Sequence, residues 1–144
     1  MKRYIAMLLA VLLLACLVIY AQAEVSKDER INRYVGVWNN DEFYMYITLE
    51  DDEILATLKQ WEEDGYVWEF KSCYYDTEED CLWCPNYIQY REHIDEDTLE
   101  RVQEDWSLGD MNLTCLTFGD DEDTLIASDI PDIDAPQSFD RVSE

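Results

Sequence analysis

Phe43-Tyr44-Met45-Tyr46-Ile47-Thr48-Leu49-Glu50 is the stretch that decides the fold. Phe43, Met45, Ile47 and Leu49 alternate with Tyr44, Tyr46, Thr48 and Glu50. A period of two is the pattern of a half-buried strand, because successive strand side chains take opposite faces. Asp51-Asp52 turns the chain into a second strand from Glu53 to Trp61, and Glu62 to Gly65 makes the next turn. Tyr66, Trp68, Phe70, Ser72 and Tyr74 then share one face, while Glu69 and Lys71 mark the other as outward.

The same rhythm continues downstream. The acidic turn Asp76 to Asp80 leads to Cys81–Ile94, which Pro85 interrupts. Met111–Phe118, the turn Gly119 to Asp123, Thr124–Ile130 and Ser138–Val142 follow. Short strands at regular spacing, with no connection long enough for a crossover, predict an all-β fold. The expected architecture is an up-and-down antiparallel meander of about eight strands closing into a barrel. Residues 98–108 carry two patterns. Asp97 with Glu100 resembles a helix capping box, with Leu99, Val102 and Trp106 at helical spacing and Gly109 as a stop. A strand would instead set Val102, Trp106 and Leu108 on one face, and the surrounding β pattern favours it.

The N-terminus has the three parts of a secretory signal peptide. Lys2 and Arg3 are basic, Ile5 to Ile19 is apolar, and Ala21-Gln22-Ala23 supplies a small-x-small cleavage site. The chain therefore divides into a signal peptide, residues 1–23, an N-terminal lead-in, 24–35, and a β-barrel domain, 36–144. The apolar run is shorter than the ~20 residues a spanning helix requires, so a secreted protein without stable membrane insertion is expected. Lipoprotein attachment at Cys16, after Leu13-Leu14-Ala15, is the minor alternative, and it lacks the polar tether that normally follows such a cysteine.

The whole chain of 144 residues has 34 acidic and 10 basic side chains. Cleavage would take two of the basic ones. Such a field repels phosphate backbones, which excludes nucleic acid as a partner. Five tryptophans and ten tyrosines set the chain apart from disordered acidic tracts.

Gly36-Val37-Trp38 precedes the first long strand, and Phe139-Asp140-Arg141-Val142 ends the last. This pairing resembles the lipocalin arrangement, in which a Gly-x-Trp opens the barrel and a late arginine packs over the tryptophan. With Trp68-Glu69-Phe70 and Leu125-x-Ala127-x-Asp129, the chain is also similar to small exported bacterial lipocalin-like β-barrel proteins. The resemblance implies a barrel in which Gly36, Trp38 and Arg141 close one end. It implies no particular ligand, since fold alone does not transfer function.

Cys73, Cys81, Cys84 and Cys115 remain after processing, an even number suited to two disulfides in an oxidising compartment. If Cys73 faces outward with Glu69 and Lys71, pairing Tyr75 with Glu79 around a three-residue turn sets Cys73 opposite Cys81. Cys84 is then left for Cys115. A shifted register pairs Cys73 with Cys84 and Cys81 with Cys115 instead. Cys81-Leu82-Trp83-Cys84 also has the spacing of a thiol–disulfide redox motif, although that chemistry needs a helix N-terminus to lower a thiol pKa. A zinc site would have to recruit the single His93.

The acidic turns lack the Asp-x-Asp-x-Asp-Gly pattern of a calcium loop. With one histidine and no glycine-framed serine, no nucleophile–base pair can be assembled. The expectation is a non-catalytic binding or interaction module without cofactor or metal. Tyr66, Trp68, Phe70 and Tyr74 are the candidates for lining a cavity. The partner would be a small apolar molecule, a glycan stacked on Tyr44, Tyr46 or Trp61, or another protein.

Overall fold

A computed structural model describes residues 29–62, 64–109 and 113–143. The signal peptide, its cleavage site and Cys16 lie outside the described residues. Of the lead-in, residues 29–32 form one helical turn. Tyr34–Glu144 makes a compact unit with ten strands among its described residues. These are β1 (Gly36–Asn39), β2 (Phe43–Glu50), β3 (Glu53–Gln60), β4 (Gly65–Asp76), β5 (Cys81–Cys84), β6 (Asn86–Ile94), β7 (Arg101–Gly109), β8 (Thr114–Phe118), β9 (Thr124–Ser128) and β10 (Gln137–Arg141).

All pairings are antiparallel, and most join sequence neighbours. β10 pairs back onto β1, closing the wall. β5 and β6 form one crossing that is interrupted at Pro85. Their register against β4 is continuous, from Lys71↔Asn86 to Tyr74↔Trp83, which places Pro85 across from Ser72. Counting β5 with β6 and β7 with β8 gives the eight-stranded up-and-down barrel that the alternation predicts. β8 pairs with β5 and β7 with β6, so the β6–β7 ribbon flares away at one end. Among the described residues, β7 has no partner on its outer edge.

Local chemistry explains the turns. Asp51 and Asp52 both have left-handed backbones, φ 50° and 67°, as a two-residue hairpin turn demands. Aspartate tolerates this region better than most residues. At the β6–β7 turn, the Asp95 carboxylate accepts bonds from the backbones of Asp97 and Thr98 and from the Thr98 hydroxyl. A single helix-like bond, Leu99 N–H to Asp95 C=O, ends there because Leu99 itself is left-handed, φ 59°. The capping signal at Asp97 and Glu100 therefore belongs to a turn, and 101–109 is strand.

Two bulges correct the strand phase read from sequence. In β4, Ala56 pairs with Phe70 but Ile54 with Cys73, so one extra residue enters β4. Ser72 absorbs it with φ 56°. Before the bulge Trp68 and Phe70 face the core. After it, Cys73 and Tyr75 do so, and Tyr74 faces solvent at 53% exposure. Cys73 is thus inward, and Tyr74 does not share the face of Trp68. In β7, Asp105 (φ 56°) shifts the register against β6. Val102 lies across from His93, whereas Trp106 and Leu108 lie across from Tyr90 and Ile88, whose side chains take the opposite face. The expectation of one shared face for Val102, Trp106 and Leu108 fails for that reason.

A left-handed serine is strained by about 1–2 kcal/mol, a cost glycine lacks. Ser72→Gly is expected to stabilise the barrel by about 0.5–1 kcal/mol, part of the gain being lost to unfolded-chain entropy. A loss of that size in urea denaturation would show that the serine side chain holds the bulge.

The middle of the barrel is packed. Trp38, Met45, Leu58, Leu82, Leu116, Leu125 and Phe139 have no exposed surface, and Phe70 has 1%. Each such leucine contributes about 1.5–3 kcal/mol by leaving water.

Candidate functional site

One end of the wall is closed by the residues that carry the lipocalin resemblance. The Trp38 indole N–H donates to the Tyr34 carbonyl at 2.9 Å. The Arg141 guanidinium lies 4.0 Å from the centre of the Trp38 ring, within cation–π range. It also donates to the Val35 carbonyl at 3.3 Å and stands 3.7 Å from the Asp123 carboxylate. Gly36 has φ 145°, and a Cβ there would come within 3.2 Å of an Arg141 nitrogen. Phe118 lies 6.0 Å from Trp38 and 4.5 Å from Tyr34, ring centre to ring centre. This end is a plug of packed rings.

The opposite end is open. Where the β6–β7 ribbon flares, a mouth cavity of about 680 Å³ remains. Phe43, Tyr66 and Trp68 form its aromatic wall, and Gln89 and Ser107 its neutral polar side. Glu42, Asp105, Asp132 and Asp134 ring it with carboxylates, and no lysine or arginine lines it among the described residues. Ile133 comes from the β9–β10 loop, which the backbone bond from its N–H to the Ile130 carbonyl holds as a turn. Trp68 is 2% exposed, and its indole N–H finds no hydrogen-bond partner among the described residues.

The four aromatic residues read as cavity-lining thus separate. Tyr66, 40% exposed, and Trp68 reach the mouth. Phe70 belongs to the packed core, with its ring centre 6.3 Å from that of Tyr87. Tyr74 is outside. Sequence reading missed Gln89, Asp105 and Ser107, since only the flare and the Asp105 bulge bring β7 to the mouth. Asp132 and Asp134 sit in a proline-flanked loop whose route the sequence does not reveal. The alternative aromatic patch is less open than its composition suggests. Trp61 is 52% exposed, yet its N–H is used by the Asn40 carbonyl and Tyr44 stands edge-on to it at 4.8 Å.

The four described cysteines are thiols in this structure, and the pairing of Cys73 with Cys81, favoured from sequence on a three-residue turn, is corrected. The β4–β5 turn has four residues between Asp76 and Cys81, not three between Tyr75 and Glu79. The Asp76 carboxylate accepts the backbone N–H groups of Glu78 and Glu79, and Asp80 turns left-handed. That longer turn brings Cys84, not Cys81, opposite Cys73, with the sulfurs 3.1 Å apart. Cys81 and Cys84 point to opposite faces of β5, as i and i+3 positions of a strand must. Burial raises the Cys81 thiol pKa and pushes that of Cys115 up to about 12. The hydrogen bond to Cys73 and burial hold Cys84 well above the ordinary thiol value. These are the reverse of the lowered values that thiol–disulfide catalysis requires.

A second cluster lies on the outer face of β3, β4, β6 and β7. Glu92, 7% exposed, is bonded by Lys59. It also accepts from Arg101 at 2.9 Å and from Gln103 at 3.5 Å. Beside it Tyr90 donates to Glu69 at 2.9 Å and packs 4.6 Å from Trp106. Burial and Glu69 raise the Tyr90 pKa far enough to keep it a phenol.

Fold and site together define an eight-stranded up-and-down barrel with one plugged end and one acidic, aromatic mouth. No protein-family model, curated protein or solved structure matches the chain. No group of three or more histidine, cysteine or acidic side chains is arranged to hold a metal among the described residues, and none of their helices is long and apolar enough to cross a membrane.

Proposed function

We propose that the protein is an exported, non-catalytic, lipocalin-like binding module that takes a small organic cation with a flat apolar body into the barrel mouth. The observation that carries the reading is the mouth itself, in which an aromatic wall of Phe43, Tyr66 and Trp68 adjoins a ring of carboxylates. Aromatic faces attract cations by about 0.5–2 kcal/mol each, and four carboxylates in a lining that holds no lysine or arginine among the described residues lower the potential of the site further. Export is carried by the leader and disulfide stapling by the even set of mature cysteines; neither depends on the cavity.

The test is tryptophan fluorescence of the secreted protein titrated with benzyltrimethylammonium, with a neutral aromatic of the same size as control. Saturable quenching by the cation is expected, weakened about tenfold by Asp132→Asn combined with Asp134→Asn and weakened again by added salt. Equal response to both probes would leave an apolar-ligand module, and no saturable response to either would end the mouth reading. A glycan array run in parallel, with binding lost in Trp61→Ala, would transfer the function to the outer patch.

A further inference from the structure

We infer that oxidation closes two disulfides with a single connectivity, Cys73–Cys84 and Cys81–Cys115, one on each face of β5. This rests on the export reading only for the source of the oxidant. Cys73 and Cys84 lie directly across the β4–β5 pair, both facing the barrel interior, 3.1 Å apart at sulfur. Directly opposed strand residues have Cβ separations of about 4.5–5.5 Å, near the range a disulfide spans. On the other face of β5, Cys115 lies across from Trp83, which makes it the diagonal neighbour of Cys81, about 7–8 Å away in a regular ladder, so that closure takes a small backbone shift.

The sides on which the sulfurs lie remove the other pairings. Cys73–Cys81 and Cys84–Cys115 would each join an inward to an outward side chain across a continuous sheet. A Cys81–Cys84 bond would have to pass through the strand that carries both. Only one partition matches inward to inward and outward to outward.

The location gives the bonds a purpose. β5 has four residues, three register pairs to β4 and three to β8. Beyond it Pro85 lacks the N–H that would continue the ladder, and the ribbon departs from the barrel. Cysteines at both ends of this short strand tie it to its neighbours on both sides, so the wall holds where the ladder is interrupted. Each closure forms one S–S bond. Two electrons and two thiol hydrogens pass to a disulfide oxidant such as oxidised glutathione, which leaves as two thiols. The buried thiols ionise poorly once folded, so exchange is expected during folding and slow afterwards.

Two preparations test the pairing: protein secreted from a host cell, and the full chain carrying Cys16→Ser refolded with oxidised glutathione. Free thiols are blocked with iodoacetamide, and the unreduced protein is cut with chymotrypsin, which separates Cys81 from Cys84 after Trp83, and with a glutamate-specific protease. Mass spectrometry is expected to find the Cys73–Cys84 and Cys81–Cys115 linkages in both. Thiols in the secreted protein alone, with both linkages in the refolded one, would overturn export and leave the pairing standing. Cys73–Cys81, Cys84–Cys115 or four alkylated thiols in the refolded protein would overturn the pairing. Cys73→Ser/Cys84→Ser is expected to keep the Cys81–Cys115 bond and to lower the thermal midpoint by about 10 °C. Loss of the remaining linkage in that variant would also count against the assignment.

Discussion

Trp38→Ala is expected to cost about 3–5 kcal/mol, the largest single loss available in this barrel. Three separate effects converge on that ring. Trp38 has no exposed surface, so truncation opens a void between Met45, its partner on β2, and Phe118. Partial relaxation leaves much of that void empty in a barrel that hydrogen bonds close all round. The Tyr34 carbonyl loses its donor, and Arg141 loses the face it covers. Urea denaturation measures the total. Trp38→Phe is the control, because it keeps an aromatic face for Arg141 but removes the N–H. Its expected cost is about 1–2 kcal/mol, mainly the lost hydrogen bond. Equal loss in the two variants would show that the hydrogen bond, not the packing, holds this end.

Lys59→Met is the second large effect, with an expected cost of about 2–3 kcal/mol at neutral pH. Lys59 is bonded to Glu92, which is nearly buried. Removing one partner of such a pair leaves an uncompensated charge out of water, a loss of about 3–5 kcal/mol when no other partner remains. Arg101 does remain, but it is largely exposed and offsets only part. Replacing both residues, Lys59→Met with Glu92→Leu, is expected to recover most of the stability. If the double variant is no more stable than the single, the ion pair is not the cause.

The sign of the pH dependence follows. Burial alone would raise the Glu92 pKa, but the hydrogen bonds from Lys59 and Gln103 and the charges of Lys59 and Arg101 outweigh it and hold the carboxyl below its ordinary value. A carboxyl depressed in the folded state contributes stability above its unfolded pKa, near 4.3, and loses it as pH falls through the folded value. Wild type should therefore lose this contribution only below about pH 4. Lys59→Met should lie furthest below wild type at neutral pH, and the gap should narrow on acidification as the orphaned carboxylate protonates.

The alternation from Phe43 onward was sufficient for the barrel, because a strand with one wet and one dry face leaves little choice of partner geometry. Trp38 and Arg141 were legible as neighbours only through the lipocalin resemblance. What the period could not reveal was a change of phase. Ser72 and Asp105 each insert one residue; serine does not announce a left-handed backbone, and Asp105 is one acid among many. Reading straight through Ser72 sent Cys73 outward and Tyr74 inward. The Asp76 side chain lengthened the next turn by capping it, which Asp76-Thr77-Glu78-Glu79-Asp80 conceals among interchangeable acids. The mouth was half legible: Tyr66 and Trp68 lie on a strand, while its carboxylates come from two loops and from a bulge.

The outer rim of β7 has a consequence for concentrated solutions. Among the described residues its backbone is unpaired on that side, a ladder that a second molecule could zip onto, as any unclosed sheet margin offers. The kink at Asp105 disrupts the row, and the acidic excess of the whole chain, 34 acidic against 10 basic side chains, repels an approaching copy. That repulsion reaches only about 10 Å at 0.1 M salt, so the protection is ionic, and brine should weaken it while leaving the barrel folded.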